Sequence, residues 1–318
     1  MVPSGDLLTL HVDDFIFCGL NEWLTNIVQQ IKRTFEISSS AQGCFRHLGL
    51  NLVQAKNEIF VDQDDYTNEL KGIDLDRSRK LQKNELLDKH EVKELRAVAG
   101  RLLWVSSNTR PDLAYDTCVV SNYGKAPTVS SCLLANKAVQ KAKKTHLKLV
   151  FPDLGDPDLW KIRVYSDAAH ASLSNQSSQA GYIVFVEGNG RLAPMLWSSK
   201  KITRVTKSPL AAETMALADA ADAGNLLAAS IKELFGRLTK MEIICVTDSK
   251  SLKEHLQTSN VIEDMRLRLD MARLQEMVDL GEIKIAWVKG KQQLADSLTK
   301  FGASAVQLLE VLGSGLQQ

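Results

Sequence analysis

Apolar and polar positions alternate most clearly in residues 161–167. A period of two predicts a β-strand with one covered face. Its apolar positions are Ile162 and Val164, and its predicted exposed positions are Lys161, Arg163 and Tyr165. The strand ends in Asp167 and a run of small residues. An acid at a strand tip is most often a turn former or helix cap. Three further acids downstream, each at the end or near the start of an element, favour a functional interpretation.

The pattern after this strand predicts a meander followed by a helix. Strands at 179–186 and 192–197 flank an Asn-Gly turn, so they are expected to pair antiparallel. An Ala- and Leu-rich helix over 209–234 then carries Glu213 in its second turn. Ser208 is placed to cap this helix, and a proline follows at its first position.

The last part of the chain predicts two more strands. Residues 241–247 form a near-continuous apolar strand that ends in Asp248, and residues 282–288 alternate as a final strand. Helices are predicted from residue 249, over 262–280, and again where Asp296 stands near a helix start. The order β-β-β-α-β-α-α-β-α predicts a mixed five-stranded sheet flanked by helices, an α/β fold.

Four acids therefore stand at element ends or starts: Asp167, Glu213, Asp248 and Asp296. Carboxylates brought together raise one another's pKa unless a cation neutralises them. Two Mg²⁺ ions, about 3.5–4 Å apart, would resolve this repulsion and support phosphodiester hydrolysis. No Cys or His stands at ligand spacing with the acids, so oxygen coordination favours Mg²⁺ or Mn²⁺ over zinc.

The first half predicts a mixture of short strands and helices. Strands at 7–12 and 15–18 place Asp13 and Asp14 at a hairpin tip, where an Asx turn and a metal site are both open. Further strands are predicted at 45–53 and 58–61. Helices are predicted at 21–35, 66–70, 91–106 and 111–123.

Two charged segments of the first half have simpler interpretations. Residues 74–90 are dense in charge and poor in aromatics, which predicts a mobile linker. Lysines at four positions are predicted to line one helical face, and a solvated face is favoured over a stripe that tracks phosphates. These positions are Lys137, Lys141, Lys144 and Lys148.

Composition narrows the class of protein. The 318 residues suggest two domains as a prior. Lys and Arg number 39 against 38 Asp and Glu, a net charge of +1, so nucleic-acid binding would depend on local patches. Five cysteines without a CxxC pair favour a reduced, intracellular protein without structural zinc. The first residues lack signal-peptide features, and no apolar run approaches the length needed to span a bilayer.

Four segments of the first half stand out in order: His11-Val12-Asp13-Asp14 between apolar strands, FRHLGL (45–50), LRAVAGRLL (95–103) and TRPDLAY (109–115). Together they resemble the reverse transcriptase of copia-type retrotransposon Pol polyproteins. The first segment is similar to the Tyr-x-Asp-Asp hairpin of that family, with His in place of Tyr. The resemblance implies a truncated palm and a thumb-like α+β region. The family's additional palm Asp and its fingers would lie upstream of Met1, so polymerase activity is not expected.

Six segments of the second half stand out in order: YSDAAHA (165–171), SQAGY (178–182), LWSSKK (196–201), SPLAAETMAL (208–217), TDS (247–249) and QLADSLTK (293–300). Together they resemble ribonuclease H of the same elements. The resemblance implies that Asp167, Glu213, Asp248 and Asp296 are the catalytic, metal-binding acids. Ala211 stands where an extra acid is often found, and residues 263–270 replace a His-bearing segment of many family members.

The resemblance also implies a substrate, an RNA–DNA hybrid recognised by its 2′-OH groups and groove shape. Lys200, Lys201, Arg204 and Ser249 are the candidate nucleic-acid contacts. For the basic residues a solubilising loop, which also includes Lys207, is an equally good explanation, and a serine at the end of an element is ordinarily a cap. The expected domains are 1–150, a truncated reverse transcriptase, and 158–318, a ribonuclease H-like domain, with other polyprotein parts as potential partners.

Three hypotheses about function remain. The leading one is an endoribonuclease that cleaves the RNA strand of the hybrid with two metal ions. The alternative is a catalytically inactive retroelement remnant that at most binds nucleic acid. An integrase or transposase of the same fold class is disfavoured by the ending at 293–300.

Overall fold

The computed structural model describes residues 5–124, 126–173, 176–235, 241–258 and 264–316. Met1 and the predicted helix start at residue 262 lie outside the described residues, as does Glu263 of the segment that departs from the family pattern. The described part of that helix begins at Met265.

The chain begins with a two-stranded hairpin and a helix. Strands β1 (Leu7–His11) and β2 (Asp14–Cys18) pair antiparallel, and helix α1 (Asn21–Thr34) follows. Helix α1 has no buried residue, and Phe17 makes an edge contact with Trp23 across the hairpin and helix.

A four-stranded antiparallel sheet comes next. It contains β3 (Cys44–His47), β4 (Leu50–Gln54), β5 (Glu58–Asp62) and β6 (Leu149–Pro152) in that order. The single strand predicted over 45–53 is therefore wrong. The chain reverses at Leu48 and Gly49, which both have positive φ, and one apolar run thus forms two strands.

Helices connect β5 to β6 along the chain, although the two strands are neighbours in the sheet. These helices are α2 (Asp64–Glu69), α3 (Arg77–Leu81), α4 (Lys89–Asn108), α5 (Ala114–Ser121) and α6 (Val129–Lys144), with a 3-10 helix at Pro111–Leu113. Lys148 lies beyond α6, so the predicted face of four helical lysines is wrong at its last member.

The segment 74–90, predicted as a mobile linker, is mostly exposed but contacts the helical core. It contains α3, and Leu75 is buried in the helical core. Arg79 forms a two-pronged ion pair with Glu91, and Glu91 also completes a capping box with Asp88 at the start of α4. The charges of this segment did not prevent it from folding, because Arg79 pairs with Glu91 and Leu75 is buried.

The second half forms the predicted mixed sheet. Its strands are β7 (Lys161–Ala169), β8 (Gln179–Gly188), β9 (Arg191–Lys201), β10 (Glu242–Thr247) and β11 (Lys284–Trp287). The order across the sheet is β9-β8-β7-β10-β11. The meander β7-β8-β9 is antiparallel, and β10 runs parallel to both β7 and β11. The α/β class and this five-stranded sheet are confirmed.

Both faces of this sheet are covered. The helices of the second half are α7 (Pro209–Phe235), α8 (Lys250–Gln257), α9 (Met265–Asp279) and α10 (Val306–Ser314), with 3-10 helices at Pro157–Leu159, Gly290–Gln292 and Asp296–Leu298. Helices α7, α8 and α9 cover one face, and the segment around α10 covers the other. Tyr165, predicted to be exposed, is buried on this second face against the ring of Phe185.

The two halves contact each other along β9. The indole Nε1 of Trp197 donates to the carbonyl oxygen of Ser106 on α4 at 2.6 Å. Arg191 donates to the carbonyl oxygen of Ser314 at 2.6 Å and forms an ion pair with Glu58 on β5. The division at 150–158 stays a prediction.

A buried ion pair connects the segment after α4 to helix α6. The guanidinium of Arg110 donates twice to the carboxylate of Asp112, at 2.8 and 2.9 Å, and once to the carbonyl oxygen of Ala142 on α6. Both charged side chains are at most 3% exposed.

Asp112→Ala is expected to destabilise the protein by about 3–5 kcal/mol, because it leaves a guanidinium buried without its counter-charge. Denaturant unfolding followed by circular dichroism measures this change. The matched control is Asp116→Ala, which breaks a more exposed pair with Lys141 and should cost no more than about 1 kcal/mol. Equal effects of the two substitutions would contradict this role for Asp112.

Candidate metal centre

Two acids meet where the central parallel strands end. Asp167 lies near the end of β7, opposite Gly181 of β8. Asp248 follows the last residue of β10, which runs parallel to β7. Side chains at the carboxyl ends of neighbouring parallel strands share one edge of a sheet, which is a common place for a ligand site.

Helix α7 supplies the third acid. The hydroxyl of Ser208 accepts from the backbone N–H of Ala211 at 3.1 Å, and α7 begins at Pro209, so both predictions for this helix start are confirmed. Fully buried alanines before and after Glu213 bring the helix close to the sheet. A Cβ on Gly224 would lie 3.0 Å from Val164, so this glycine permits the same approach further along.

The three carboxyl groups form a tight cluster. One oxygen each from Asp167, Glu213 and Asp248 can be chosen so that all lie within 4.8 Å of one another. Asp167 is 1% exposed. Atom Oε2 of Glu213 is buried, and it has no hydrogen-bond partner among the described residues. An orphaned carboxylate oxygen inside an acidic cluster is aimed at a cation or a proton.

Burial and repulsion shift the protonation of all three acids. Burial raises the pKa of Glu213 to about 9, and the charges of Asp167 and Asp248 add to the shift. Burial also raises the pKa of Asp167 to about 6, against the attraction of Lys300 and a hydrogen bond from Thr299. The pKa of Asp248 is raised as well, again chiefly by burial.

Asp296 lies beside this cluster but outside the three-carboxylate group. It begins the 3-10 helix Asp296–Leu298, where a longer helix was predicted. The ammonium of Lys300, one helical turn later, pairs with Asp296 and lies 3.5 Å from Oδ2 of Asp167. Burial alone would lower the pKa of Lys300, but the attraction of Asp167, Asp296 and Asp248 raises it.

Thr299 and Gly181 position the central acid. The hydroxyl of Thr299 donates to Oδ2 of Asp167. A Cβ on Gly181 would lie 2.7 Å from Leu298 and 2.9 Å from Thr299. Glycine at this position therefore lets residues 298–299 pack directly against β8. Ser199 on β9 donates to the carbonyl oxygen of Leu298 at 2.6 Å and fixes the same turn.

The sequence analysis assigned no role to Thr299, Lys300 or Gly181. All three lie within the segments that carried the resemblance. A lysine four residues after Asp296 is a recognisable partner for that acid. Their contacts with Asp167 join residues far apart in the chain and have no local signal.

The candidate nucleic-acid contacts are largely engaged within the protein. Lys200 pairs with Asp219 of α7 at 2.9 Å, and Arg204 pairs with Asp270 of α9. Ser249 caps α8 by accepting from the backbone N–H of Leu252. Lys201 has no ion pair with a carboxylate of the described residues. Their assignment to nucleic acid stays a prediction.

Helix α9 and the residue before it form ion pairs with the basic loop that precedes α7. Lys207 pairs with Asp264 at 3.2 Å, and the Arg204 pair also ends on α9. Two acids of residues 264–270 thus pair with two of the four basic side chains in the loop that leads into α7.

The aspartates of the first half stand apart from this cluster. Asp13 and Asp14 are exposed at the tip of the β1–β2 hairpin, beside Val12 with positive φ. Within the described ranges, they join no group of three potential metal ligands. The hairpin is confirmed, and the assignment of Asp13 and Asp14 as the remnant of a polymerase motif stays a prediction.

None of the helices described here is both long and apolar enough to cross a lipid bilayer.

Sequence comparisons find relatives of this chain among mobile-element proteins. The chain is 26% identical over 211 residues to the retrovirus-related Pol polyprotein from transposon RE1 of Arabidopsis thaliana, a match that covers 65% of this chain. It is 23% identical over 215 residues to the transposon Ty5-1 protein of Saccharomyces cerevisiae, which covers 64% of this chain and 68% of that protein. The chain is related to copia-type transposon Pol polyproteins. The matched part of this Pol-related chain spans only 14% of the RE1 polyprotein. No family model matches the present chain.

One solved structure supports the fold over most of the chain. A foamy viral protease–reverse transcriptase in complex with double-stranded DNA aligns over 89% of this chain and 46% of that chain, with a TM-score of 0.54 and 12% identity. Ribonuclease H1 from the archaeon Halobacterium salinarum aligns over 44% of this chain and 94% of that chain, with a TM-score of 0.34 and 22% identity. The first likeness and the strand order carry the fold assignment of the Pol-related chain.

Glu213→Gln is expected to stabilise the metal-free protein increasingly as pH rises. Because the pKa of Glu213 is about 9 in the folded protein and ordinarily 4.5, the folded state retains a proton that the unfolded state loses. The stability contributed by the protonated group is present below 4.5 and is lost as pH rises through about 9.

Thermal unfolding in a chelator measures this difference. The variant should exceed the unmodified protein by more than about 1 kcal/mol at pH 8, with a smaller gain at pH 5. A gain independent of pH would show that Glu213 is not a buried, strained acid.

Proposed function

We propose that the chain is a ribonuclease H-type endoribonuclease that cleaves the RNA strand of RNA–DNA hybrids with divalent metal. The supporting observation is the buried cluster of Asp167, Glu213 and Asp248 at one edge of a mixed sheet. Its charge is too concentrated to persist in the ionised form without a cation. We also propose that residues 158–318 form the catalytic domain and that residues 1–150 form a separate reverse transcriptase-derived domain.

The residues present fit a hard divalent cation. Every ligand offered is a carboxylate oxygen, and Oε2 of Glu213 is buried without a partner. Such a donor set suits Mg²⁺, with Mn²⁺ as a substitute. We assign Asp167, Glu213 and Asp248 as ligands of two Mg²⁺ ions and Asp296 as the fourth acid, next to the cluster.

When bound, the metal would supply an activated water and stabilise the negative charge that develops on the leaving oxygen. The chain's own residues prepare the site for that chemistry. Thr299 orients one oxygen of Asp167. The buried position of Glu213 excludes water from one side of the cluster and strengthens its electrostatic interactions. Lys300 supplies positive charge to Asp167 and Asp296.

The substrate assignment rests on the Pol relatives and on the site. A hybrid duplex is recognised through phosphates, 2′-OH groups and groove shape, without a base code. Lys200, Lys201, Arg204 and Ser249 remain the proposed contacts, and three of them would exchange a present partner for the substrate. Salt-dependent binding is the expected signature.

Asp248→Asn should reduce cleavage of a labelled RNA–DNA hybrid in Mg²⁺ by at least about 100-fold, since even outer-shell metal partners contribute 10–100-fold. Gel electrophoresis of the labelled RNA strand measures the rate. Asp222→Asn is the matched control, because Asp222 lies on α7 in an exposed pair with Arg273. It should retain activity within about 3-fold.

Equal, background-level cleavage by the unmodified protein and both variants would overturn the enzyme and favour the inactive remnant. Equal, substantial cleavage would place the chemistry elsewhere.

Mg²⁺ should raise the melting temperature of the unmodified protein at pH 8, because a ligand that binds only the folded state stabilises it. Asp167→Asn should abolish the rise, since it removes the most buried carboxylate of the cluster. Differential scanning calorimetry with Mg²⁺ and with matched NaCl separates specific binding from ionic strength. An equal rise in both proteins would place the binding elsewhere.

A further inference from the structure

A groove in the first half is lined by residues that are distant in sequence from the acidic cluster. It has a volume of about 930 Å³ and runs between residues 70–83 and helix α6. We call it the lysine groove, because five lysines line it: Lys71, Lys80, Lys83, Lys137 and Lys143. Its volume falls in the range of ligand pockets in proteins, about 300–1,000 Å³.

The charges of the lysine groove are not balanced. All five lysines are exposed, and none has a carboxylate of the described residues within ion-pair distance. Asp74 is the one acid among its lining residues. Lys141 of the same helix differs, because its ammonium is held by Asp116 at 2.7 Å outside the groove. An excess of unpaired positive charge around one cavity selects an anionic partner.

The floor of the lysine groove is apolar. Leu133 and Leu134 are partly exposed, and Leu70 and Val139 lie beside them. The lining contains neither an aromatic ring nor an arginine. Single-stranded nucleic acid is usually held by aromatic rings that stack on bases, and phosphates by the guanidinium fork. An apolar floor between lysines instead fits a peptide with leucine-like side chains on one face and carboxylates at its flanks.

The walls of the lysine groove are preformed. The side chain of Asn136 accepts from the backbone N–H of Ile73 at 2.6 Å and donates to its carbonyl oxygen at 2.9 Å. Ser130 donates to the carbonyl oxygen of Lys83 through both its hydroxyl and its backbone N–H. A Cβ on Gly72 would lie 2.5 Å from Asn136, so glycine permits this contact. A fixed groove binds without the cost of ordering its walls.

We propose that the lysine groove is a docking site for an acidic amphipathic peptide segment of a partner protein. The partner's apolar side chains contact the leucines of α6, and its carboxylates pair with lysines on both walls. This site is independent of the proposed nuclease and would persist if that activity were absent.

Fluorescence anisotropy with a designed probe tests the proposal on the full chain. The probe is a dye-labelled helical peptide of about 15 residues, roughly four turns, with leucines on one face and glutamates elsewhere. One control is an isomer of the same composition with leucines scattered around the helix. A second is a single-stranded oligonucleotide that carries the same dye.

The probe should bind with a Kd on the order of micromolar, more tightly than either control and less tightly as salt increases. Combining Lys83→Glu with Lys137→Glu, one on each wall, should weaken binding at least about 10-fold. Lys144→Glu is the matched variant, because Lys144 ends α6 but does not line the groove, and it should change the Kd less than about 2-fold.

Two results would overturn the docking site: equal binding of the probe and its scattered isomer, or equal effects of the double variant and Lys144→Glu. Tighter binding of the oligonucleotide, lost in the double variant, would assign the groove to nucleic acid instead. Circular dichroism checks that the variants fold. If the double variant does not, Lys83→Gln with Lys137→Gln should still weaken the probe relative to Lys144→Gln, and an unchanged Kd would contradict the proposal.

Discussion

The burial of three carboxyl groups in one small volume is the main constraint on the structure of the second half. Asp167, Glu213 and Asp248 come from two strands and a helix, and their oxygens approach within 4.8 Å. Repulsion and desolvation oppose this arrangement, and each raises the pKa of the acids. Protonation can relieve the strain, and a bound cation would relieve it while keeping the carboxylates ionised.

Small residues make this close packing possible. Gly181 leaves room for the turn that brings Thr299 to Asp167, and Gly224 lets α7 approach β7. Both faces of the sheet are covered by apolar clusters, so the acids are held by packing as well as by polar contacts. The burial of apolar side chains on both faces of the sheet therefore offsets the unfavourable electrostatic energy of the three acids.

Local patterns predicted the elements that carry the acids. The alternation before Asp167, the Ser208 cap and the apolar run before Asp248 each reflect a force that acts within a few residues, and the structure has those elements. Features that depend on contacts between residues far apart in the chain were not predicted. Tyr165 is buried because a second layer covers its face, and the segment with Arg79 is ordered by Glu91. The turn at Leu48 and Gly49 divides the run over 45–53, where the glycine was a local signal that the sequence prediction did not use.

A crystal structure with Mn²⁺ tests the cation account most directly, because anomalous scattering locates the ion without reference to activity. The account predicts anomalous density within about 2.0–2.3 Å of the carboxylate oxygens of Asp167, Glu213 and Asp248, a range close to the distances for small divalent cations. Density elsewhere, or its absence together with protonated acids at neutral pH, would contradict the account.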